Sequence, residues 1–151
     1  MSDAAHMWQL NYDEFVRAID AMIDINRTRR TAHPERHKYV SVIEYLAESG
    51  TVRVGAGRQT GKSYYAASHA GVDDCIIVPN GEMGRSLCAL QVPDSVICDV
   101  LHADDILTMK TKRYNTIYID EPEFVFRVVP RSQLYAKLSI DPDQTFVLLG
   151  N

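Results

Sequence analysis

Thr51–Ser63, which reads TVRVGAGRQTGKS, is the stretch that decides the fold. Its first five residues are typical of a β-strand, and residues 63–70 are predicted to form a helix that ends near Gly71. The glycine-rich part between them fits the phosphate-binding pattern G-x-x-x-x-G-K-[ST], with Ala56 in place of the first glycine. The residues assigned to phosphate binding are Ala56, Gly57, Arg58, Gln59, Thr60, Gly61, Lys62 and Ser63.

Each part of this loop has a physical task. Backbone N–H groups of a tight loop and the positive N-terminal end of the following helix favour phosphate oxygens. Lys62 is expected to reach the β and γ phosphates, the Ser63 hydroxyl to ligate Mg²⁺, and Gly61 to let the backbone approach the phosphates closely. The alternative is a solvated glycine-rich turn, which the order of strand, loop and helix makes the weaker interpretation.

A second element that a nucleotide site needs follows at residues 116–121, where an apolar run ends in Asp120 and Glu121. Such a run is typical of a buried parallel strand, and ligands of parallel sheets lie beyond the carboxyl ends of the strands. We therefore expect Asp120 to hold Mg²⁺ and Glu121 to polarise the attacking water. The alternative is an ordinary strand end with acidic turn residues before Pro122.

Length and composition indicate one globular domain. The chain has 151 residues, of which 46% are hydrophobic and 24% are charged. Its net charge of −4 does not indicate nucleic-acid binding by the molecule as a whole. The three cysteines have no C-x-x-C spacing, which favours free thiols in a reducing compartment. No apolar run is long enough to span a bilayer, so we expect a cytoplasmic protein without a membrane partner.

The apolar pattern predicts an α/β fold. Two helices are expected before the loop, at Tyr12–Ile23 and at about Pro34–Glu48, and short crossover helices at Leu101–Leu107 and Ser132–Leu138. The predicted strands are Thr51–Gly55, Cys75–Val78, Val96–Val100, Thr116–Ile119 and Thr145–Leu149. This spacing indicates a five-stranded, mainly parallel sheet sandwiched by helices. Residues 1–50 would be an N-terminal helical segment packed on a core of residues 51–151.

Residues 51–151 resemble the ATPase core of the additional-strand, catalytic-glutamate class of P-loop proteins, and most of all the large terminase subunits that package phage DNA. The Arg58-Gln59 pair before Gly61 is similar to the terminase form of the Walker A loop, and residues 117–121 are similar to the Walker B strand. Residues 146–151 resemble the strand that leads into the coupling motif, where Asn151 would sense the γ-phosphate. The resemblance implies a RecA-like fold, with ATP and Mg²⁺ as cofactors.

The resemblance also implies partners. It implies a homo-oligomer or a larger motor assembly that acts on DNA, or on RNA, in the host cytoplasm if the protein is phage encoded. Arg58 would contribute the catalytic positive charge beside Lys62 and Glu121, and Arg127 and Arg131 are alternatives that would act on a neighbouring subunit. By analogy, the Walker A strand would lie between the Walker B and coupling-motif strands.

A basic stretch between the first two helices allows several interpretations. Its members are Arg27, Arg29, Arg30, Arg36 and Lys38, with two histidines among them. They are suited to gripping a nucleic-acid backbone, but a solvated loop is the more common use of such a stretch, and no interleaved aromatic residues favour base stacking. By resemblance, Arg36 and Tyr39 are candidates for bordering the base of the nucleotide.

These observations leave three functions open. The first is an Mg²⁺-dependent ATPase of a nucleic-acid-translocating motor, and the second is a nucleotide-binding regulatory or adaptor module with little intrinsic turnover. A small-molecule kinase is the third and least favoured, because a kinase must exclude water whereas Glu121 is placed to activate it.

Overall fold

The computed structural model describes residues 3–55, 61–88 and 97–150, with the backbone alone for residues 3–11, 86 and 88. Five strands form one sheet in which every pairing is parallel. The strands are β1 (Thr51–Val54), β2 (Cys75–Val78), β3 (Asp99–His102), β4 (Thr116–Asp120) and β5 (Thr145–Leu149). The helices are α1 (Asp3–Ala32), α2 (Val42–Glu48), α3 (Lys62–His69), α4 (Gly81–Cys88), α5 (Pro122–Val128) and α6 (Arg131–Leu138). The prediction of an α/β protein with a five-stranded sheet is therefore confirmed.

The strand order is β1-β5-β4-β2-β3. The expectation that the loop strand β1 lies between β4 and β5 is wrong, because β5 pairs with β1 on one side and with β4 on the other. A physical reason is burial: all five residues of β5 are buried, as a central strand requires, whereas Thr51 and Arg53 of β1 are partly or fully exposed. β1 is therefore an edge strand among the described residues.

Helices cover both faces of the sheet. Side chains of α2, α5 and α6 pack on one face with strand residues such as Ile77, Ile117 and Phe146. Side chains of α1, α3 and α4 pack on the other face with Ile76, Val147 and their neighbours. Alternate strand residues thus enter opposite core layers, which explains why the fully buried strands β2, β4 and β5 are mostly apolar.

The first helix is longer than predicted. Its helical apolar spacing ends near Ile23, but α1 continues to Ala32. Its last turns are fixed by hydrogen bonds rather than by apolar packing: Arg27 donates to Thr116, and Arg30 donates to the segment before β5. Ile19 and Ile23 pack in the same core layer as Val52.

Two further helix predictions need correction. The predicted helix over residues 34–48 is a 3₁₀ turn at Pro34–Lys38 followed by α2, because the extended backbone at Ser41 (ψ 158°) interrupts it and the Ser41 hydroxyl caps α2 by accepting from the Glu44 N–H. The helix predicted at Leu101–Leu107 is instead the end of β3 and a short 3₁₀ turn at Ala103–Asp105. The predicted helix at residues 132–138 is confirmed as α6.

Among the helices of the described residues, none combines the length and the apolar character that crossing a membrane requires.

Candidate functional site

The carboxyl ends of β1, β5 and β4 meet in one row. Leu149 of β5 is in register with Val54 of β1 on one side and with Asp120 of β4 on the other. Since neighbouring strands are about 4.8 Å apart, the end of β1 and Asp120 are separated by roughly 10 Å. The end of β1 at Val54 and Asp120 at the end of β4 therefore lie at the same edge of the sheet.

Helix α3 connects the loop to this edge. Gly61, in the left-handed region at φ 88°, precedes Lys62 and Ser63 in the first turn of α3. The Ser63 hydroxyl donates to Asp120 Oδ2 at 2.8 Å. A positive φ is accessible to glycine without steric cost, which explains the residue type at position 61. The structure therefore brings together Ser63 and Asp120, the two residues that the sequence assigns to the metal.

Asp120 is a buried carboxyl group, with only 3% of its surface exposed. Burial raises its pKa, and the hydrogen bond from Ser63 opposes that rise. The charge of Glu121 raises the pKa further, while the Lys62 ammonium lowers it. The charges of Lys62 and Glu121 thus act on Asp120 in opposite directions.

Glu121 adopts a strained backbone conformation. Its φ of 51° and ψ of 62° are in the left-handed region. Among the residues that the structure describes, Glu121 is the one non-glycine residue with a positive φ. Such a conformation costs about 1–2 kcal/mol for a residue with a Cβ. Glu121 begins α5, but its side chain does not cap that helix by a hydrogen bond. The left-handed conformation of Glu121 turns the chain sharply between the end of β4 at Asp120 and the start of α5 at Pro122.

Gly150 supports this turn from the neighbouring strand. It follows β5 with φ 138°, and a Cβ at this position would lie 3.1 Å from Pro122 Cδ and 3.9 Å from Glu121 Cα. Its N–H donates to the Val54 carbonyl. Gly150 thus contacts both the end of β1 and the Glu121 turn. Gly150 is not among the predicted site residues, although a glycine directly after a buried, mostly apolar strand is a recognisable signal of close backbone approach.

The oxygen atoms at this edge fit a hard divalent cation. Asp120 Oδ1 is buried and, among the described residues, has no hydrogen-bond partner. The other atom that could bind a metal ion is the Ser63 hydroxyl oxygen. The two side chains thus offer a carboxylate and a hydroxyl oxygen, the ligand chemistry that Mg²⁺ prefers. An unpaired buried carboxylate oxygen is costly unless a ligand or water satisfies it. Ser63 and Asp120 are therefore the residues that would hold Mg²⁺.

Several residues that the sequence assigns to the site lie outside the described part of the chain. They are Ala56, Gly57, Arg58, Gln59, Thr60 and Asn151. Their assignments to phosphate binding, to the catalytic charge and to γ-phosphate sensing stay predictions.

The alternative catalytic arginines are engaged elsewhere. Arg127 is exposed, donates to Glu123 Oε1 at 2.7 Å and stacks on the Phe124 ring. The Arg131 guanidinium lies 5.2 Å from the centre of the Tyr135 ring. Arg127 belongs to α5 and Arg131 to α6.

The basic stretch does not form one loop. Arg27 and Arg30 belong to α1 and bind the sheet at the opposite edge, where the strands begin: Arg30 donates to the Gln144 carbonyl at 2.6 Å and to Thr145 Oγ1 at 2.7 Å. These contacts have no signal in the sequence, because a helical arginine that anchors a distant strand looks like any surface arginine. Arg29 and Arg36 are exposed.

Comparison of the chain with protein-family models, with curated proteins and with solved structures found no match.

Proposed function

We propose that this protein is an Mg²⁺-dependent P-loop ATPase with a RecA-like core, and that it serves as a subunit of a nucleic-acid-translocating motor such as a phage DNA-packaging terminase. The observation that supports this proposal best is the 2.8 Å hydrogen bond from Ser63 to the buried Asp120, whose second carboxylate oxygen has no partner among the described residues. In a ligand-free P-loop site, these are the two side chains that would share a metal ion.

The proposed roles follow from position and chemistry. Ser63 and Asp120 would hold Mg²⁺, which when bound neutralises developing charge on the triphosphate. Lys62, in the first turn of α3, would bind the β and γ phosphates. Glu121 would orient and polarise the attacking water, because its carboxylate projects from a sharp turn directly after Asp120 and is not used to cap α5.

Phosphate release is the direct test. The protein is mixed with ATP, with and without Mg²⁺, and with and without DNA or RNA. We expect Mg²⁺-dependent release that nucleic acid stimulates. The Lys62→Ala variant should lose nucleotide binding, and the Glu121→Gln variant should bind ATP but hydrolyse it at least about a hundredfold more slowly.

The matched control is Glu14→Gln, which removes an exposed carboxylate of α1. Turnover of this control should equal that of the unaltered protein. Unchanged hydrolysis in Lys62→Ala would refute the assignment of the loop, and release that ignores every nucleic acid would refute the motor while leaving the ATPase intact.

A second function, a nucleotide-binding regulatory or adaptor module, is favoured by the engagement of Arg127 with Glu123 and of Arg131 with aromatic rings. Among the described residues, neither arginine is bonded to Ser63, Asp120 or Glu121. Calorimetry with ATP distinguishes the two functions. Tight binding without hydrolysis, with or without nucleic acid and at high protein concentration, would favour the module.

A further inference from the structure

A groove of about 410 Å³ lies beside β1, between α1 and the end of α2. It is far from neutral: of its described lining residues, four are arginines and one, Glu48, is acidic. The side chains of Arg29, Arg36 and Arg53 are exposed and form no hydrogen bond or ion pair with any residue that the structure describes. A protein with a net charge of −4 thus concentrates unpaired positive charge in one groove.

The floor of the groove is strand β1, which among the described residues has a neighbouring strand on one side only. The Gly50 carbonyl accepts from the Phe146 N–H, and the Val54 carbonyl accepts from Gly150, so these even-numbered positions face β5. In a parallel strand, the N–H and C=O of successive residues alternate between the two neighbours. Thr51 and Arg53 therefore present their backbone donors and acceptors to the groove.

The wall of the groove is aliphatic. Met22 and Ile25 of α1 line it, and they are 38% and 59% exposed. Exposed apolar side chains beside unpaired strand backbone are typical of places where an extended segment is added to a sheet.

From these three features we propose that the groove binds an acidic, extended peptide segment of a partner protein, which adds a strand to the β1 edge. Backbone hydrogen bonds to Thr51 and Arg53 would fix the segment along the edge. Acidic side chains would pair with Arg29, Arg36 and Arg53, and alternate aliphatic side chains would contact Met22 and Ile25. This inference does not depend on nucleotide binding.

The groove suits a peptide better than a nucleic acid. The carbonyl groups of Thr51 and Arg53 need N–H donors, which a strand provides and a phosphate backbone does not. Tyr45, an aromatic lining residue, is buried and offers bases no exposed stacking surface.

The probe for the test is a short fluorescent peptide of alternating glutamate and valine, with a lysine–valine peptide and single-stranded oligo-dT as comparisons. Binding is measured by anisotropy, and the amide signals of Thr51 and Arg53 are followed by NMR and hydrogen exchange. We expect the acidic peptide to bind, the basic peptide not to bind, and the exchange of both amides to slow.

The double variant Arg29→Glu/Arg53→Glu should bind the acidic peptide at least about tenfold more weakly. The matched control is Arg17→Glu/Arg85→Glu, which reverses two exposed arginines outside the groove and should leave the affinity unchanged. Thermal unfolding verifies that both variants are folded.

Two N-methylated peptides test strand addition itself. One is methylated on all valine amides and the other on all glutamate amides, so that each blocks one edge of the peptide strand. One of the two should lose binding. Equal binding by both methylated peptides, or binding of oligo-dT that depends on Arg29 and Arg53 when the acidic peptide does not bind, would overturn the proposal.

Discussion

Ser63 donates its hydroxyl hydrogen to Asp120, and this bond joins the first turn of the helix after the loop to a strand end 57 positions later. The bond does not fully compensate for burial, since the pKa of Asp120 is still raised. In the absence of a cation, the ionised carboxylate of Asp120 therefore lowers the free energy of unfolding relative to the protonated form.

The Asp120→Asn variant should be more stable than the unaltered protein at neutral pH without ligand. A carboxyl group with a raised pKa in the fold contributes stability below its ordinary value of 3.8, and that contribution is lost as the pH rises through the raised value. Denaturant unfolding between pH 4 and 8 measures the effect, because the variant lacks this pH dependence. Stabilisation by Mg²⁺ and ATP should disappear in the same variant.

Asp99→Asn is the control with the opposite sign. Hydrogen bonds from Tyr114 and Lys112 lower the pKa of Asp99, so its contribution is present above the ordinary value of 3.8 and is lost as the pH falls through the lowered value. This variant should lose stability at neutral pH. If both variants shift stability in the same direction, the electrostatic account of Asp120 is wrong.

Replacing Glu121 with glycine should stabilise the fold by about 1 kcal/mol, because glycine adopts φ 51° without the steric cost that a Cβ imposes. Glu121→Ala removes the same carboxylate and keeps the Cβ, so it should not show this gain. Urea unfolding compares the two variants, and both should lose hydrolysis. Equal stabilities would show that the turn is not strained.

Arg30→Ala should lower the free energy of unfolding by about 2–4 kcal/mol, because it leaves the buried carbonyl of Gln144 and the hydroxyl of Thr145 without their charged donor. Arg29→Ala, the adjacent exposed arginine, should change stability by less than about 0.5 kcal/mol. Chemical denaturation of both variants tests the assignment. Similar losses would mean that Arg30 is not an anchor.

Gly150→Ala should destabilise the protein by about 1–3 kcal/mol, since an alanine at φ 138° is strained and its Cβ would press on Pro122. It should also lower turnover per folded molecule, because Glu121 and Pro122 belong to the same turn and a shift of Pro122 would displace Glu121. In Gly71→Ala, the nearest atom to the new Cβ is 3.5 Å away, an ordinary contact, so that variant should be neutral or stabilised by up to about 1 kcal/mol. Full activity in Gly150→Ala would show that Gly150 does not support the position of Glu121.

The sequence predicts the central features of this fold because they depend on local patterns. The strands Cys75–Val78 and Thr145–Leu149 have the predicted bounds, since each is a continuous apolar run between turn residues. The pairing of Ser63 with Asp120 follows from the parallel sheet, in which loop and carboxylate must share one edge.

The features that the sequence does not predict depend on distant contacts. The place of β5 between β1 and β4 is decided by which strand tolerates exposure, a comparison that no local window contains. The end of α1 at Ala32 depends on hydrogen bonds from Arg27 to Thr116 and from Arg30 to Thr145, which are 89 and 115 positions away in the sequence. The left-handed Glu121 also has no local signal, because glutamate rarely adopts that conformation.

The central position of β5 also affects how the molecule forms during translation. β1 is synthesised before residues 145–149, yet among the described residues the strand that those residues form is its one partner in the sheet. The nascent chain therefore exposes the β1 strand until β5 pairs with it, in a state that favours chaperone binding, and the end of β1 and Asp120 come together only when β5 lies between them.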